Sequence, residues 1–261
     1  MATARPRPLV ALAYEEAAQE YLRSLPLEHF MEATAQATQR KITLESLDLV
    51  SARRADVHVF NELLVQYPRP RQRRPGQVVP DNMVVLSDEP IEAETSFNVP
   101  LEPAGPFWVL EYVSKHNKRK DYEKSFEQYE RELKVPYYMV FYPEAEELTL
   151  YHHDGKNYVT VKPNKHGRYP ITPLEMEVKI LDGWVRFWHK GRLLPLPAEL
   201  QREFDAANRR ANEAERRATE ADNRAADLQR RLERAEQELA RLRESRQPPP
   251  NRKNNGPKSS R

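Results

Sequence analysis

Two short apolar runs decide the fold of this chain: Val78-Val79-Pro80-Asp81-Asn82-Met83-Val84-Val85-Leu86 and Phe107-Trp108-Val109-Leu110-Glu111-Tyr112-Val113. Each run is interrupted by one carboxylate, Asp81 in the first and Glu111 in the second. Short runs of this β-branched composition are typical of strands buried on both faces. Because ionised carboxylates are seldom buried without a partner, one hard cation shared between Asp81 and Glu111 would satisfy both acids.

Hydrophobic periodicity predicts a series of helices and strands around these two runs. Helices are expected at residues 15–24, 38–54 and 118–134, and strands at 57–67, 137–142, 148–152, 157–161 and 184–188. Residues 87–106, rich in proline and acids, are expected to form a loop. The predicted order in the centre of the chain is helix, strand, strand, strand, helix, strand.

Several motifs resemble those of the Uma-type putative restriction endonuclease family, in the PD-(D/E)xK nuclease superfamily. They are Pro80-Asp81, then Glu111-x-x-Ser114, then Asp121 and Tyr129 on the following helix. The resemblance covers residues 28–197 and implies a restriction-endonuclease-like three-layer α/β core (α-β-β-β-α-β). It further implies a phosphodiesterase that uses Mg²⁺ (or Mn²⁺) to cut DNA, with Asp81 and Glu111 as the metal ligands.

The family pattern also contains a lysine, and here the sequence departs from it. The position two residues after Glu111 is Val113, and the alternative position on the next helix, four residues after Asp121, is Ser125. A lysine would orient the attacking water or stabilise the developing negative charge. Lys124 and Lys115 are the candidates for that role, so the predicted catalytic set is Asp81, Glu111, Lys124 and Lys115.

The same site has candidate supporting residues and structural alternatives. Gln128 and Glu62 are candidates for supporting contacts to the catalytic groups. The structural alternatives are a turn-forming role for Asp81 and a buried ion pair with a lysine for Glu111. The sequence contains no glycine-rich phosphate loop and no serine-centred elbow, which argues against those two classes of enzyme.

Composition sets further limits on the protein. The chain has no cysteine, which excludes disulfides and thiolate zinc sites and fits a reducing compartment, so a cytoplasmic location is expected. The apolar run near the N-terminus is short and is closed by Glu15 and Glu16, so neither export nor a membrane span is expected. The expected organisation is an N-terminal extension (1–27), the nuclease-like domain (28–197), a coiled coil (198–246) and a disordered basic tail (247–261).

Charge is unevenly distributed along the chain. The formal net charge is +2, but the five bases and no acids of residues 245–261, together with the balanced charges of residues 204–244, leave −3 for residues 1–203. Bulk charge therefore gives no argument for nucleic-acid binding. Two local basic clusters flank the acids and would suit a phosphate-bearing substrate: Arg69, Arg71, Arg73 and Arg74, and Lys115, Lys118, Arg119 and Lys120. The alternative for both clusters is a solvated surface.

The most regular pattern lies in the C-terminal region. Apolar residues alternate steps of three and four from Phe204 to Leu242, which is a heptad repeat sustained over more than five repeats. In a parallel pair of such helices the flanking positions give four attractive contacts and one neutral contact: Arg210–Glu215, Arg217–Asp222, Arg224–Gln229, Arg231–Glu236 and Glu238–Arg243. A parallel homodimer through residues 204–242 is therefore predicted. The alternative is a single charged helix, free or folded onto its own domain.

Two functions from different classes remain open. The first is a metal-dependent DNA endonuclease of restriction type, dimerised so that two active sites cut the two strands. The second is a catalytically inactive nuclease-fold protein whose coiled coil acts as an interaction scaffold. The retained acids favour the first and the missing lysine favours the second.

Overall fold

The computed structural model describes residues 9–25, 34–70, 72, 74–113 and 120–245. The helices in this part of the chain are α1 (Leu9–Ser24), α2 (Thr34–Ser51), α3 (Lys120–Glu127) and α4 (Pro197–Ser245). The strands are β1 (Val57–Asn61), β2 (Leu64–Tyr67), β3 (Gly76–Val78), β4 (Asn82–Leu86), β5 (Ser96–Asn98), β6 (Pro106–Tyr112), β7 (Tyr137–Tyr142), β8 (Glu147–His153), β9 (Tyr158–Thr160), β10 (Tyr169–Ile171), β11 (Met176–Leu181), β12 (Trp184–His189) and β13 (Arg192–Leu193).

A six-stranded sheet in the order β1-β4-β6-β7-β8-β9 forms the centre of the fold. Neighbouring strands are antiparallel except β6 and β7, which run parallel. A parallel pair requires a crossover, and α3 supplies it. The succession α2, β1, β4, β6, α3, β7 confirms the predicted α-β-β-β-α-β order, with shorter strands inserted.

Two hydrophobic cores cover the two faces of this sheet. One core packs α2 and the antiparallel sheet β10-β11-β12-β13 against Trp108, Leu110 and Met139. The other packs the region after α3 and the small sheet β3-β2-β5 against Val109, Tyr138 and other residues of the opposite face. Because successive side chains of a strand point to opposite faces, the apolar runs of β4, β6 and β7 serve both cores.

Helix α3 continues as a π-helix over Gln128–Leu133. It ends at Lys134, whose backbone is left-handed (φ 51°), and Val135 and Pro136 then lead into β7. The predicted single helix of residues 118–134 therefore changes its hydrogen-bonding pattern midway, and its first two residues lie outside the described part. Tyr129 falls in the π-helical turn and is fully buried.

Several predicted elements were wrong. The expected single strand of residues 57–67 is two strands in different sheets, because Glu62 adopts a left-handed backbone conformation (φ 49°) that breaks the strand. The expected loop of residues 87–106 contains β5, which pairs with β2 in parallel. Strands β10 and β11 were not predicted. The hairpin β8–β9 is confirmed.

The chain divides into two units after Pro197. The second unit contains α4, a single helix of 49 residues that begins at Pro197. The larger apolar side chains at its predicted heptad positions are each at least 50% exposed: Phe204, Leu228, Leu232, Leu239 and Leu242. Among the described helices, none is long and apolar enough to cross a membrane.

Candidate active site

The pairing of β4 with β6 brings the two predicted acids together. The antiparallel register aligns Asn82 with Leu110, so the next residues outward, Asp81 and Glu111, are cross-strand neighbours. The two carboxyl groups interact directly, since each one shifts the pKa of the other. Two acids separated by thirty positions in sequence thus meet at one point of the sheet because their strands are adjacent.

The Asp81 carboxylate has a donor and a cation beside it. The backbone N–H of Tyr112 donates to Asp81 Oδ2 at 2.6 Å, and Arg40 Nη2 lies 3.7 Å from Asp81 Oδ1. Burial raises the pKa of Asp81 to about 6, while the Tyr112 N–H and the Arg40 charge act in the opposite direction. The side chain nevertheless remains 25% exposed, so water and small ions have access to it.

The surroundings of Glu111 disfavour its ionised form more strongly than those of Asp81 do. Burial, and then the charge of Asp81, raise the pKa of Glu111 well above its ordinary value. The Tyr129 hydroxyl donates to Glu111 Oε1 at 2.7 Å and partly offsets this effect. Since two carboxylates in contact cannot easily both ionise, ionisation of one acid disfavours ionisation of the other, and a cation held between them would relieve this repulsion.

Hydrogen bonds of Tyr112 join the strand ends that carry the two acids to helix α2. The Tyr112 hydroxyl donates to Asn82 Oδ1 at 2.6 Å and lies 2.7 Å from the Thr43 hydroxyl on α2. The Gln36 side chain, also on α2, donates to the Tyr112 carbonyl at 2.8 Å. These contacts fix the ends of β4 and β6 against α2, so the two carboxyl groups are presented on a well-supported backbone.

Arg40 is a member of this site that the sequence analysis missed. Its side chain is only 14% exposed, and its Nη2 atom lies 2.7 Å from Glu62 Oε1 as well as near Asp81. A signal was present in the sequence, because Gln36, Arg40 and Thr43 are spaced four and three apart and place a polar stripe on an otherwise core-facing helix. The helix predicted from residue 38 does not include Gln36, so this polar stripe is incomplete in the prediction.

Of the two predicted lysines, the structure describes Lys124 and does not bring it to the acids. Lys124 lies on α3 with its side chain exposed, and within the described part of the chain no ion pair or hydrogen bond joins it to Asp81 or Glu111. Lys115 lies outside the described residues, as do Lys118 and Arg119 of the same cluster and Arg71 and Arg73 of the other. Val113 is buried in the core beside β7.

The two supporting candidates have different positions. Glu62 does belong to the site, through its ion pair with Arg40 and through its backbone N–H, which donates to the Asp81 carbonyl at 3.3 Å. Gln128 instead donates to the Tyr67 hydroxyl at 2.8 Å and to the Gln77 carbonyl at 3.0 Å. Gln128 therefore ties the π-helix to the small sheet and makes no contact with the acids.

The donor set fits a hard divalent cation. Within the described ranges no group of three or more histidine, cysteine or acidic side chains is arranged around one point, so side chains offer only this pair of carboxylates. Mg²⁺ is commonly held by one or two carboxylates and keeps several waters. Burial raises the pKa of both acids, and the charge of a bound divalent ion would favour their ionised forms.

Comparisons with known proteins bear on the family. A crystal structure of a putative nuclease belonging to DUF820, from Anabaena variabilis ATCC 29413, is similar with a TM-score of 0.42 and 15% sequence identity over 55% of this chain and 75% of that one. The search of curated proteins found no match. The family model Uma2, described as putative restriction endonuclease, matches residues 28–180, which is more than half of the chain. The chain therefore belongs to the Uma2 family of putative restriction endonucleases.

Proposed function

We propose that this protein is a metal-dependent DNA endonuclease whose catalytic centre is Asp81 and Glu111. The observation that carries the proposal is the contact between these two carboxyl groups at the adjoining ends of β4 and β6. Acids are seldom buried without a basic partner, and here a second acid adjoins Asp81 in addition to its neighbouring cation, Arg40. Sites in which charge is concentrated in this way are more often functional than structural.

The residues of the site have distinct parts in this proposal. A divalent ion held here would polarise the phosphate and lower the pKa of a bound water. Asp81 and Glu111 would hold the ion, with the Tyr112 N–H and the Tyr129 hydroxyl fixing the orientation of the two carboxylates. The remaining exposure of the Asp81 side chain gives the substrate access to the pair.

The experiment is cleavage of supercoiled plasmid by the purified full-length protein with Mg²⁺ or Mn²⁺, beside calorimetric titration with the same ions. Asp81→Asn and Glu111→Gln are expected to abolish cleavage and to weaken ion binding by at least tenfold. Asp88→Asn, an exposed acid just beyond β4, is the matched control and is expected to behave as the wild type. A wild-type protein that neither binds the ions nor cuts DNA contradicts the proposal.

That negative result would instead support the scaffold function. The observation that favours it is Val113, since a buried apolar side chain stands where the superfamily pattern has a lysine. The exposed seam of α4 would then be the functional part of the protein.

We further propose that the endonuclease acts as a parallel homodimer through residues 204–242. Support comes from the exposure of the larger apolar side chains at the heptad positions of α4 and from the favourable flanking charges of a parallel pairing. Two copies bring two centres to one duplex, and cutting both strands requires two hydrolysis events.

A further inference from the structure

We propose that Arg40 supplies the positive charge that stabilises the phosphate during hydrolysis, and that Glu62 holds it in position. This inference rests on the proposed endonuclease function and assigns the cation that the sequence left open. It begins from proximity, since Arg40 Nη2 lies 3.7 Å from the Asp81 carboxylate at the point where Asp81 meets Glu111.

The surroundings of Arg40 show that its position is built into the fold. Arg40 projects from α2, which is fixed to the end of β6 by Gln36 and Thr43. With 14% of its side chain exposed, Arg40 is largely enclosed. The contact of 2.7 Å with Glu62 is shorter than the 3.7 Å separation from Asp81, so Glu62 is the closer anchor.

Glu62 adopts a strained backbone conformation. Its φ of 49° is in the left-handed region, which non-glycine residues occupy at a cost. This conformation ends β1 and places the Glu62 N–H on the Asp81 carbonyl, so the same residue contacts Asp81 through its backbone and Arg40 through its side chain. Glu62 is thus a positioning residue for the pair formed by Arg40 and Asp81.

The chemistry of arginine suits this role. Its guanidinium stays protonated throughout the working pH range and offers a planar fork of donors that matches two phosphate oxygens. With a divalent ion held by the acids, Asp81 would not require Arg40 as its counter-charge. Arg40 would keep its anchor on Glu62 and could donate to a phosphate bound at the same point, where charge develops in the transition state.

The test compares plasmid cleavage and Mg²⁺ affinity for the wild type, Arg40→Gln and Arg40→Lys. Arg40→Gln keeps a polar head without the charge and is expected to cleave about 100-fold more slowly, the usual effect of removing one charge-stabilising donor. Its Mg²⁺ affinity is expected to stay within about threefold of the wild type or to become tighter. Arg40→Lys should recover part of the rate, and thermal unfolding of each variant verifies that it is folded.

The matched control is Lys41→Met, which removes the adjacent cation on the same helix. The Lys41 side chain is 76% exposed and pairs only loosely with Glu45, so its loss should leave the rate unchanged. Cleavage by Arg40→Gln within threefold of the wild type, or faster cleavage with tighter Mg²⁺ binding, would overturn the proposal. Faster cleavage with tighter Mg²⁺ binding would show that Arg40 blocks the ion site. Arg40→Lys no faster than Arg40→Gln would also overturn it.

A double-mutant comparison tests the role of Glu62 separately. Glu62→Gln is expected to slow cleavage about tenfold in the wild type but to have no further effect in Arg40→Gln, because residues that act through one another are not additive. Equal effects in both backgrounds would remove the positioning role. If the wild type neither cleaves nor binds Mg²⁺, the endonuclease function fails together with this inference, whereas an active wild type with an equally active Arg40→Gln removes the inference alone.

Discussion

At the scale of single residues, the main feature of the candidate site is the contact between two acids, Asp81 and Glu111. Asp81 and Glu111 were identified from sequence because each interrupts an apolar run, which is an unusual place for an acid. Arg40 and Tyr129 were harder to assign, since an arginine on a helix and an aromatic residue at helical spacing are ordinary features. Only the fold shows that the former faces Asp81 and that the latter donates to Glu111.

The first prediction concerns the dependence of stability on pH. Both acids have pKa values raised above those of an unfolded chain, so the folded protein binds more protons and loses stability as pH rises through about 6 and beyond. Glu111→Gln removes this conflict. In the absence of metal, the variant should unfold at a higher temperature than the wild type at pH 8, by about 2–4 °C for each kcal/mol gained.

Thermal unfolding followed by circular dichroism at pH 5 and pH 8 tests this. The advantage of Glu111→Gln should shrink at pH 5, where the wild-type pair already holds its proton. Addition of Mg²⁺ at pH 8 should raise the unfolding temperature of the wild type more than that of the variant. An equal difference between the two proteins at both pH values would contradict the prediction.

The second prediction concerns Tyr129. Tyr129→Phe removes the hydroxyl that donates to Glu111 Oε1, and since this bond lowers the pKa of Glu111, its loss should raise that pKa further. Ion binding then requires a higher pH, and Mg²⁺ affinity at pH 7 should fall about tenfold, in line with a hydrogen bond to a charged group. Calorimetric titration between pH 6 and 9 would measure this shift, with Tyr169→Phe, a partly buried tyrosine of β10, as the control.

At the scale of elements, the sequence predicts the strands that are buried on both faces, but it predicts neither the pairing of those strands nor the strands β5, β10 and β11. The apolar runs predicted β4, β6 and β7 because these strands are buried on both faces. The run from Val57 to Tyr67 looks equally continuous, yet the left-handed Glu62 sends its two halves into different sheets. No glycine marks this break, although Asn61 and Glu62 are residue types that are less common in strands.

The third prediction concerns the contact between Gly76 and Tyr67 in the small sheet β3-β2-β5. A Cβ atom added at Gly76 would lie 2.2 Å from the Tyr67 ring, which is 2% exposed and has no room to move. Gly76→Ala is therefore expected to reduce the free energy of unfolding by about 1–3 kcal/mol. Urea denaturation measures the change.

Gly105 provides a matched control for that substitution. A Cβ atom there meets nothing within 4 Å, so Gly105→Ala is expected to change stability little. Similar losses for the two variants would show that the contact with Tyr67 is not the cause.

At the scale of the whole molecule, the chain combines a compact α/β unit with a helix of 49 residues whose seam is exposed. The boundary follows from composition, since prolines precede a long alanine- and arginine-rich repeat. The neighbouring Arg231 and Asp227 side chains form an ion pair of 2.9 Å within the helix. Exposed pairs of this kind contribute only a few tenths of a kcal/mol, so they would compete weakly with pairing between helices.

The fourth prediction concerns the oligomeric state. The seam is mostly alanine at its N-terminal end and leucine at its C-terminal end, so the leucines should contribute most of the association energy. Leu232→Asp together with Leu239→Asp is expected to convert a dimer into a monomer in sedimentation equilibrium at tens of micromolar. Gln237→Asp, which adds charge outside the seam, should remain dimeric, and a monomeric wild type would rule out the pairing.

On the proposed function, the juxtaposition of residues 81 and 111 would couple metal binding to proton release. If one hydrogen ion is shared between the two side chains, a divalent cation can enter only by expelling it, so uptake of metal should acidify an unbuffered solution by about one equivalent per site. Apparent affinity for the cation then rises with each step toward alkaline conditions until the pair is fully ionised. The acidity of the surroundings would thereby set how much of the enzyme is loaded with metal.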